Sequence, residues 1–242
     1  MRSESRIELL DFMRGVALIA MTVFHFGFDL ELLGFKEPGY ASQLHWKYFA
    51  RAIASSFLIL TGFSLYLAHH QHISWEKWRL RMLKIVAAAV LITIATYFAT
   101  PHQFIFFGIL HAIAFASLAG LLFLKLNAVA TLCIAVSVFW VGNSYESALF
   151  DHPIWWWTGL SQAPINSSDY VPVFPWFSAP LIGIVIAKTA LQFGLLEMMS
   201  RPQLNARPFQ LVKFIGRNSL IYYLLHQPIM IGLLFAVLYL QN

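Results

Sequence analysis

Long apolar segments separated by short polar stretches form the main pattern of this chain. A helix that crosses a bilayer needs about 20 predominantly apolar residues, and the sequence contains seven candidate segments, the fifth of which is the shortest. They cover residues 9–30, 46–68, 82–99, 104–124, 128–141, 173–193 and 215–240. The pattern predicts an all-α fold, a polytopic membrane bundle of about seven transmembrane helices that forms a single domain over residues 1–242.

Composition narrows the class of protein further. Of the 242 residues, 59% are hydrophobic and only 11% are charged, and the mean hydropathy is +0.67. A soluble domain carries about 25% charged residues, so this chain has too few charged side chains to cover a water-exposed surface. These figures exclude a disordered chain, a nucleic-acid-binding module and an ordinary soluble enzyme. The single cysteine, Cys133, excludes an internal disulfide.

Basic residues predict the orientation, because Lys and Arg accumulate on the cytoplasmic side of membrane proteins. With a cytoplasmic N-terminus, the outer side receives only Lys36, Lys47 and Arg51, and the long outer loop at about 142–172 contains neither Lys nor Arg. The formal net charge of +5 therefore reflects topology. The inner side receives Arg2, Arg6, Lys77, Arg79, Arg81, Lys84, Lys125, Lys188, Arg201, Arg207, Lys213 and Arg217.

The first segment contains four ionisable residues, Asp11, Arg14, His25 and Asp29. Asp11 and Arg14 interrupt its apolar part, so we expect a retained helix and not a cleavable signal peptide. Ionisable groups within a span are costly and often functional. On a helix, Arg14 and His25 share a face about 16 Å apart along the axis. Asp29 is four residues after His25 and could orient its imidazole. An Asp11–Arg14 ion pair with a purely structural role is the alternative.

The last segment contains a second polar stripe. Tyr222 and His226 are spaced by four residues, and Ser219 and Tyr223 lie alongside them, so all four are close on one side of a helix. This stripe indicates either a polar cavity or hydrogen bonds that pack one helix against another.

Three further residues have two interpretations each. His111 in the fourth segment lines a cavity or satisfies a packing contact, and His45 is a catalytic candidate or an isolated interfacial histidine. Trp156, in the run 155–157 of the outer loop, is part of an interfacial aromatic belt or of a platform for a sugar ring. We expect no metal site.

Several of these patches resemble one family. The stretch from Arg6 to His25, with Asp11 and the pair Arg14-Gly15, is similar to the first helix of transmembrane acyltransferases. It resembles the heparan-alpha-glucosaminide N-acetyltransferase catalytic family, particularly its small bacterial members. The Arg14 to His25 spacing also resembles the Arg-x10-His motif of the acyltransferase-three family. The other patches similar to the bacterial family are Phe107-Gly108-Ile109-Leu110-His111, Phe174-Pro175-Trp176-Phe177, and Gly216-Arg217-Asn218-Ser219-Leu220 with His226-Gln227-Pro228.

The resemblance implies a function, an acyltransferase that moves an acyl group, usually acetyl, from cytosolic acyl-CoA to an amine or hydroxyl of a sugar or glycan. In the acyltransferase-three pattern the catalytic histidine matches His25, and in the heparan enzyme it lies in an outer loop, where His45 is the nearest candidate. On this basis the candidate residues fall into three groups. The catalytic candidates are His25, Asp29, His45 and His226. The donor-binding candidates are Asp11, Arg14, Arg79, Arg81 and Arg217. The substrate-cavity candidates are His111, Ser219, Tyr222, Tyr223 and Trp156.

Acyl-CoA is then a donor substrate, and we expect no permanently bound cofactor. The expected location is the bacterial inner membrane. The sequence leaves open whether the protein forms a homo-oligomer. Two other function classes also stay open: a transporter or lipid-handling protein whose polar stripes line a pathway, and a non-catalytic membrane assembly partner.

Overall fold

A computed structural model of the chain describes residues 7–200 and 206–241. Arg2, Arg6 and Arg201, which the charge analysis placed on the cytoplasmic side, lie outside the described residues.

The described residues form helices and contain no strand, which confirms the all-α class. Asn127 caps the start of α5, since its side-chain oxygen accepts a hydrogen bond from the Ala130 amide at 2.7 Å. Short 3-10 helices lie at Pro101–Gln103, Gly120–Phe123, Ala148–Phe150 and Pro153–Thr158. The α-helices are α1 (Glu8–Leu32), α2 (Leu44–His69), α3 (Trp75–Ala99), α4 (Ile109–Ala119), α5 (Ala128–Ser144), α6 (Val173–Trp176), α7 (Ser178–Gln192), α8 (Leu195–Ser200), α9 (Arg207–Arg217) and α10 (Ser219–Gln241).

Five described helical segments are long and apolar enough to cross a membrane, and two more are apolar but shorter. The long segments are Glu8–Leu32, Leu44–His69, Trp75–Ala99, Val173–Gln192 and Ser219–Leu240, and the shorter ones are Ile109–Phe123 and Ala128–Ser144. All seven overlap the segments predicted from sequence. The polytopic membrane class is confirmed, and the count of seven spans stays a prediction.

The structure corrects the continuity of three predicted segments. The segment 104–124 becomes helical only at Ile109, the segment 173–193 is interrupted at Phe174, whose φ and ψ are not helical, and the segment 215–240 is broken at Asn218. The backbone at two of these interruptions is not helical. Phe174 precedes a proline, which disfavours helical backbone before it, and Asn218 (φ −104°, ψ 32°) lies outside the helical region at the end of α9.

The described residues group into two compact units. One comprises the described parts of Met1–Ala54 and Leu196–Asn242, and the other is Ser55–Leu195. We call them the terminal unit and the middle unit. Helix α2 contributes its first part to the terminal unit and the rest to the middle unit.

In the terminal unit, α1 packs along α9 and α10. Two glycines allow α1 and α9 to approach closely. A Cβ atom at Gly15 would overlap the Val212 carbonyl oxygen, and one at Gly216 would overlap the Asp11 carbonyl oxygen. Because any side chain larger than hydrogen would separate the helices, these glycines fix the position of the charged residues that surround them.

The middle unit is built around α4, α5 and α7. Its core contains Ala116, Phe177, Leu181 and Ile184, all nearly inaccessible to solvent. Lys188 of α7 is buried, and its ammonium group donates to the carbonyls of Phe123 and Leu126 and to the Thr131 hydroxyl. This lysine therefore ties the loop between α4 and α5 to α7.

Candidate active site

The first turns of α1 form a network of ion pairs with two residues of α9, Lys213 and Arg217. Lys213 Nζ lies 2.7 Å from Glu8 Oε2, and Arg217 Nη2 lies 3.5 Å from Glu8 Oε1. Asp11 accepts from Arg14 at 3.2 Å through Oδ1 and from Arg217 at 3.3 Å through Oδ2. The predicted Asp11–Arg14 pair is confirmed.

Asp11 cannot itself bind phosphate, because it is a carboxylate, is only 1% exposed and uses both oxygens for arginines. It instead fixes the two guanidinium groups. The side chains of Arg14 and Arg217 stay 28% and 43% exposed. These five groups, with three cations and two carboxylates, carry one net positive charge.

Further along α1, polar side chains meet those of α10 in matching order. Thr22 and Tyr222 join their hydroxyls at 2.9 Å, and Gln227 Nε2 donates to Asp29 Oδ1 at 3.3 Å. Between them, the imidazole rings of His25 and His226 lie 5.1 Å apart, centroid to centroid. Since the contacts advance in the same direction along both helices, α1 and α10 run parallel.

The hydrogen bonds of His226 define its tautomer. Nδ1 lies 2.7 Å from the Tyr223 carbonyl oxygen, which can only accept, so Nδ1 carries the proton and donates. In the neutral ring Nε2 is therefore a bare acceptor. It is buried and has no hydrogen-bond partner. Tyr222 stacks on the same ring with an interplanar angle of 4° and a centroid distance of 6.2 Å.

The orientation of Tyr222 also follows from its partner. Thr22 donates its hydroxyl hydrogen to the Leu18 carbonyl at 2.9 Å, so Tyr222 must donate to Thr22. This bond holds the tyrosine ring against His226.

The predicted hydrogen bond between Asp29 and His25 is wrong. Asp29 is fully buried and uses Oδ1 for Gln227, while its Oδ2 and His25 Nδ1 both lack partners. The i to i+4 spacing allowed the contact, but the carboxylate accepts from Gln227 of α10 instead. Gln227 was missed as a site residue. Its polarity within an apolar helix, next to His226, is the signal that could have identified it.

Two other candidates of the terminal unit lie away from the histidine pair. His45 is exposed, and its ring is tilted by 40° against that of Trp46, with ring centroids 5.4 Å apart. Ser219 begins α10, seven residues or about 10 Å before His226 along the helix. Tyr223 contributes both its carbonyl and its ring, whose centroid is 5.7 Å from that of His226.

The remaining candidates lie in the middle unit. His111 accepts from the Gly108 amide through Nδ1 at 3.2 Å, and its Nε2 lies 3.3 Å from Thr93 Oγ1. Because Nδ1 accepts, Nε2 carries the proton and donates, so both nitrogens are engaged. His111 therefore secures the start of α4. Arg79 and Arg81 are exposed in the first turns of α3.

Trp156 belongs to the outer loop of the middle unit. Its Nε1 donates to the Asp151 carbonyl at 2.9 Å, and its carbonyl accepts from Tyr170 at 2.6 Å. Burial raises the pKa of Tyr170 to about 12, so its hydroxyl stays protonated as a donor. These contacts hold Trp156 within the loop, and its indole nitrogen is not free for a ligand.

The same loop is fastened to α4 by Asp169, whose Oδ2 accepts from the Ile109 amide at 2.8 Å. Burial raises the pKa of this carboxyl to about 6, although the Ile109 amide acts in the opposite direction. Within residues 7–200 and 206–241, no group of three or more His, Cys, Asp or Glu side chains could hold a metal ion.

Comparison with known proteins identifies one family. The family model described as "Heparan-alpha-glucosaminide N-acetyltransferase, catalytic" matches residues 6–228, which is most of the chain. No curated protein and no solved structure matches the chain. The family match covers α1 and α10 up to Pro228, and so includes both histidines of the pair.

Proposed function

Because the chain belongs to the heparan-alpha-glucosaminide N-acetyltransferase catalytic family, we propose that it transfers an acyl group within the membrane. The family suggests a membrane acetyltransferase. We propose acetyl-CoA or another acyl-CoA from the cytosol as the donor, and an amine or hydroxyl of a sugar or glycan as the acceptor. The proposed location is the bacterial inner membrane.

The histidine pair is the observation that carries this proposal. An acyltransferase needs a base that removes the acceptor's proton. His226 has the properties of such a base, since the Tyr223 carbonyl holds its proton on Nδ1 and leaves the Nε2 lone pair unused. A structural histidine would have both nitrogens bonded, because an unsatisfied buried polar atom costs about 1–3 kcal/mol.

The proposed reaction balances with His226 as the proton carrier. Nε2 takes the proton of the acceptor N–H or O–H as the acceptor atom forms a bond to the thioester carbonyl carbon. The carbon–sulfur bond then breaks, and the imidazolium returns the proton to the leaving thiolate. The products are the acylated acceptor and free CoA. His25, with its ring beside that of His226, contacts the reacting groups and is the alternative site of a transient acyl-histidine.

Arg14 and Arg217 are proposed to bind the donor's phosphates. Guanidinium groups form strong paired hydrogen bonds with phosphate oxygens, and Asp11 holds both in place. The eleven residues from Arg14 to His25 span about 16 Å of helix, a distance suited to the long pantetheine arm. Arg79 and Arg81 are exposed and can only add a diffuse positive charge.

Donor binding is tested by thermal unfolding of the purified protein with acetyl-CoA, free CoA and longer acyl-CoAs. A ligand that binds the folded state raises its apparent stability, so we expect an increase with acyl-CoA. The double variant Arg14→Gln/Arg217→Gln should lose the increase, while Lys47→Gln, an exposed basic residue of the outer side, should keep it. If no acyl-CoA shifts the unfolding temperature, the proposed donor is wrong.

Transfer itself is tested with labelled acetyl-CoA and glucosamine as the first acceptor. His25→Ala and His226→Ala should abolish labelled product, whereas His72→Ala, an exposed histidine in the loop before α3, should keep wild-type turnover. Flux of a solute across liposomes without consumption of acetyl-CoA would instead support a transporter.

A further inference from the structure

Asp29 is a buried carboxylate on α1 that does not bond to His25, and its function has to be found in its other contacts. Gln227 occupies only one of its oxygens, and Oδ2 is buried without a partner. A carboxylate that only positioned α10 would have no reason to keep an oxygen unsatisfied, given the cost of burying one. This oxygen therefore calls for a hydrogen-bond donor that the described protein residues do not supply.

Three buried polar atoms on this part of α1 and α10 have no partner, His25 Nδ1, Asp29 Oδ2 and His226 Nε2, and the last two are acceptors. His226 Nε2 accepts because its tautomer is fixed, and Asp29 Oδ2 accepts as a carboxylate oxygen. Tyr222 already donates to Thr22 and Gln227 to Asp29, while the indole N–H of Trp46, whose ring packs against Gly27, is buried without a partner. Asp29 Oδ2 and His226 Nε2 are together complementary to a group that brings two donor hydrogens.

The spacing allows one molecule to satisfy both acceptors. Asp29 lies one helical turn, about 6 Å, beyond His25, and the His25 ring contacts that of His226. Gln227, which directly follows His226, donates to Asp29, so both acceptors lie on the same facing stretch of α1 and α10, where one molecule with two donors can reach them. A lone hydroxyl has one hydrogen and satisfies only one of them.

We infer that Asp29 binds the acceptor, that Gln227 positions Asp29, and that the site selects acceptors with at least two donor hydrogens at the reacting position. A primary amine, an amino alcohol and a vicinal diol share this chemistry. His226 Nε2 removes one hydrogen as a proton, and Asp29 Oδ2 keeps the other in a hydrogen bond. This inference rests on the proposed acyl transfer.

Three acceptors on the same six-membered ring test it: trans-2-aminocyclohexanol, trans-cyclohexane-1,2-diol and cyclohexanol. With acetyl-CoA as donor, kcat/KM should be at least tenfold higher for both two-donor compounds than for cyclohexanol, since one hydrogen bond to a charged group is worth about 1.5–3 kcal/mol. A preference for the amine alone would restrict the class to amines. Equal values for all three would overturn the inference.

The variants assign the preference to residues. Asp29→Asn should raise KM for the two-donor compounds about tenfold and leave that of cyclohexanol unchanged, and Gln227→Ala should do the same to a smaller extent. A role confined to packing would lower folded yield or kcat for all three acceptors alike. An unchanged KM in Asp29→Asn would overturn the assignment.

Binding without turnover separates this inference from the proposed function. Thermal unfolding with trans-2-aminocyclohexanol and no acyl-CoA should show stabilisation of the wild type that is lost in Asp29→Asn, or in Gln227→Ala if the first variant does not fold. Stabilisation without any transfer would contradict the acyltransferase and retain the binding site. No stabilisation of the wild type, or equal stabilisation of the variants, would contradict the binding site itself.

Discussion

His226 and His111 occur in similar sequence contexts but differ in how their two ring nitrogens are hydrogen-bonded. Each is a histidine within an apolar helix, and each uses one nitrogen for a nearby backbone group. The second nitrogen of His111 lies within hydrogen-bond distance of Thr93, whereas that of His226 is buried without a partner. The comparison shows that a histidine in a membrane helix is a candidate base only when the surrounding helices leave a nitrogen unused.

The substitution His226→Asn should have the largest effect, a loss of catalytic turnover. The Asn amide can still donate to the Tyr223 carbonyl from nearly the position of Nδ1, but it offers no base. General-base catalysis contributes about 10²–10⁴-fold, so turnover should fall by that factor while the unfolding temperature changes little. The measurement is single-turnover transfer from labelled acetyl-CoA, with circular dichroism to follow unfolding. A variant that retains more than a tenth of the wild-type rate would remove His226 from the reaction.

The matching substitution in the middle unit, His111→Ala, should have the reverse effect. It removes the acceptor of the Gly108 amide, which costs about 1–3 kcal/mol if left unsatisfied, and the contact with Thr93, whose hydroxyl still donates to the Ile105 carbonyl. We expect a lower unfolding temperature and unchanged turnover per folded molecule. Loss of turnover without loss of stability would instead support the interpretation that His111 lines the substrate cavity.

Glycines give a second contrast, between Gly216 and Gly232. Gly216→Ala should destabilise the protein by about 1–3 kcal/mol and weaken acyl-CoA binding, because its methyl group would overlap the Asp11 carbonyl and displace α9 from α1. A Cβ at Gly232 meets nothing within 4 Å, so Gly232→Ala should be neutral or stabilise by up to about 1 kcal/mol. The unfolding temperatures of the two variants test this contrast. Equal changes in both would contradict the close contact between α1 and α9.

The smallest effect concerns pH and the outer loop. Burial raises the pKa of Asp169 from 3.8 to about 6, so the folded state binds this proton more tightly than the unfolded state. The stability from this group is fully present below pH 4 and is lost as the pH rises through 6. The unfolding temperature of the wild type should therefore fall relative to that of Asp169→Asn between pH 4 and 7. A constant difference between the two would contradict the raised pKa.

Much of the architecture follows from the sequence, because bilayer thickness sets the length of an apolar helix. The Asp11–Arg14 pair was also predictable, since both residues lie on one helix and three positions apart. The break at Asn218 was not, because no proline or apolar boundary marks it. The partners of Asp29, His111 and Trp156 depend on which helix or loop lies opposite, and hydrophobic pattern carries no information about that choice. Local spacing on α1 predicted His25 as the partner of Asp29. In the structure, Asp29 instead accepts a hydrogen bond from Gln227 of α10.

The role of His226 as the base is the central claim, and chemical rescue tests it most directly. His226→Ala, His25→Ala and the wild type would be assayed for acetyl transfer with and without added imidazole. We predict that imidazole restores at least a tenfold increase in turnover to His226→Ala, where it can occupy the vacated space beside Tyr222, and leaves the wild type unchanged. Full activity of His226→Ala without imidazole would contradict the account.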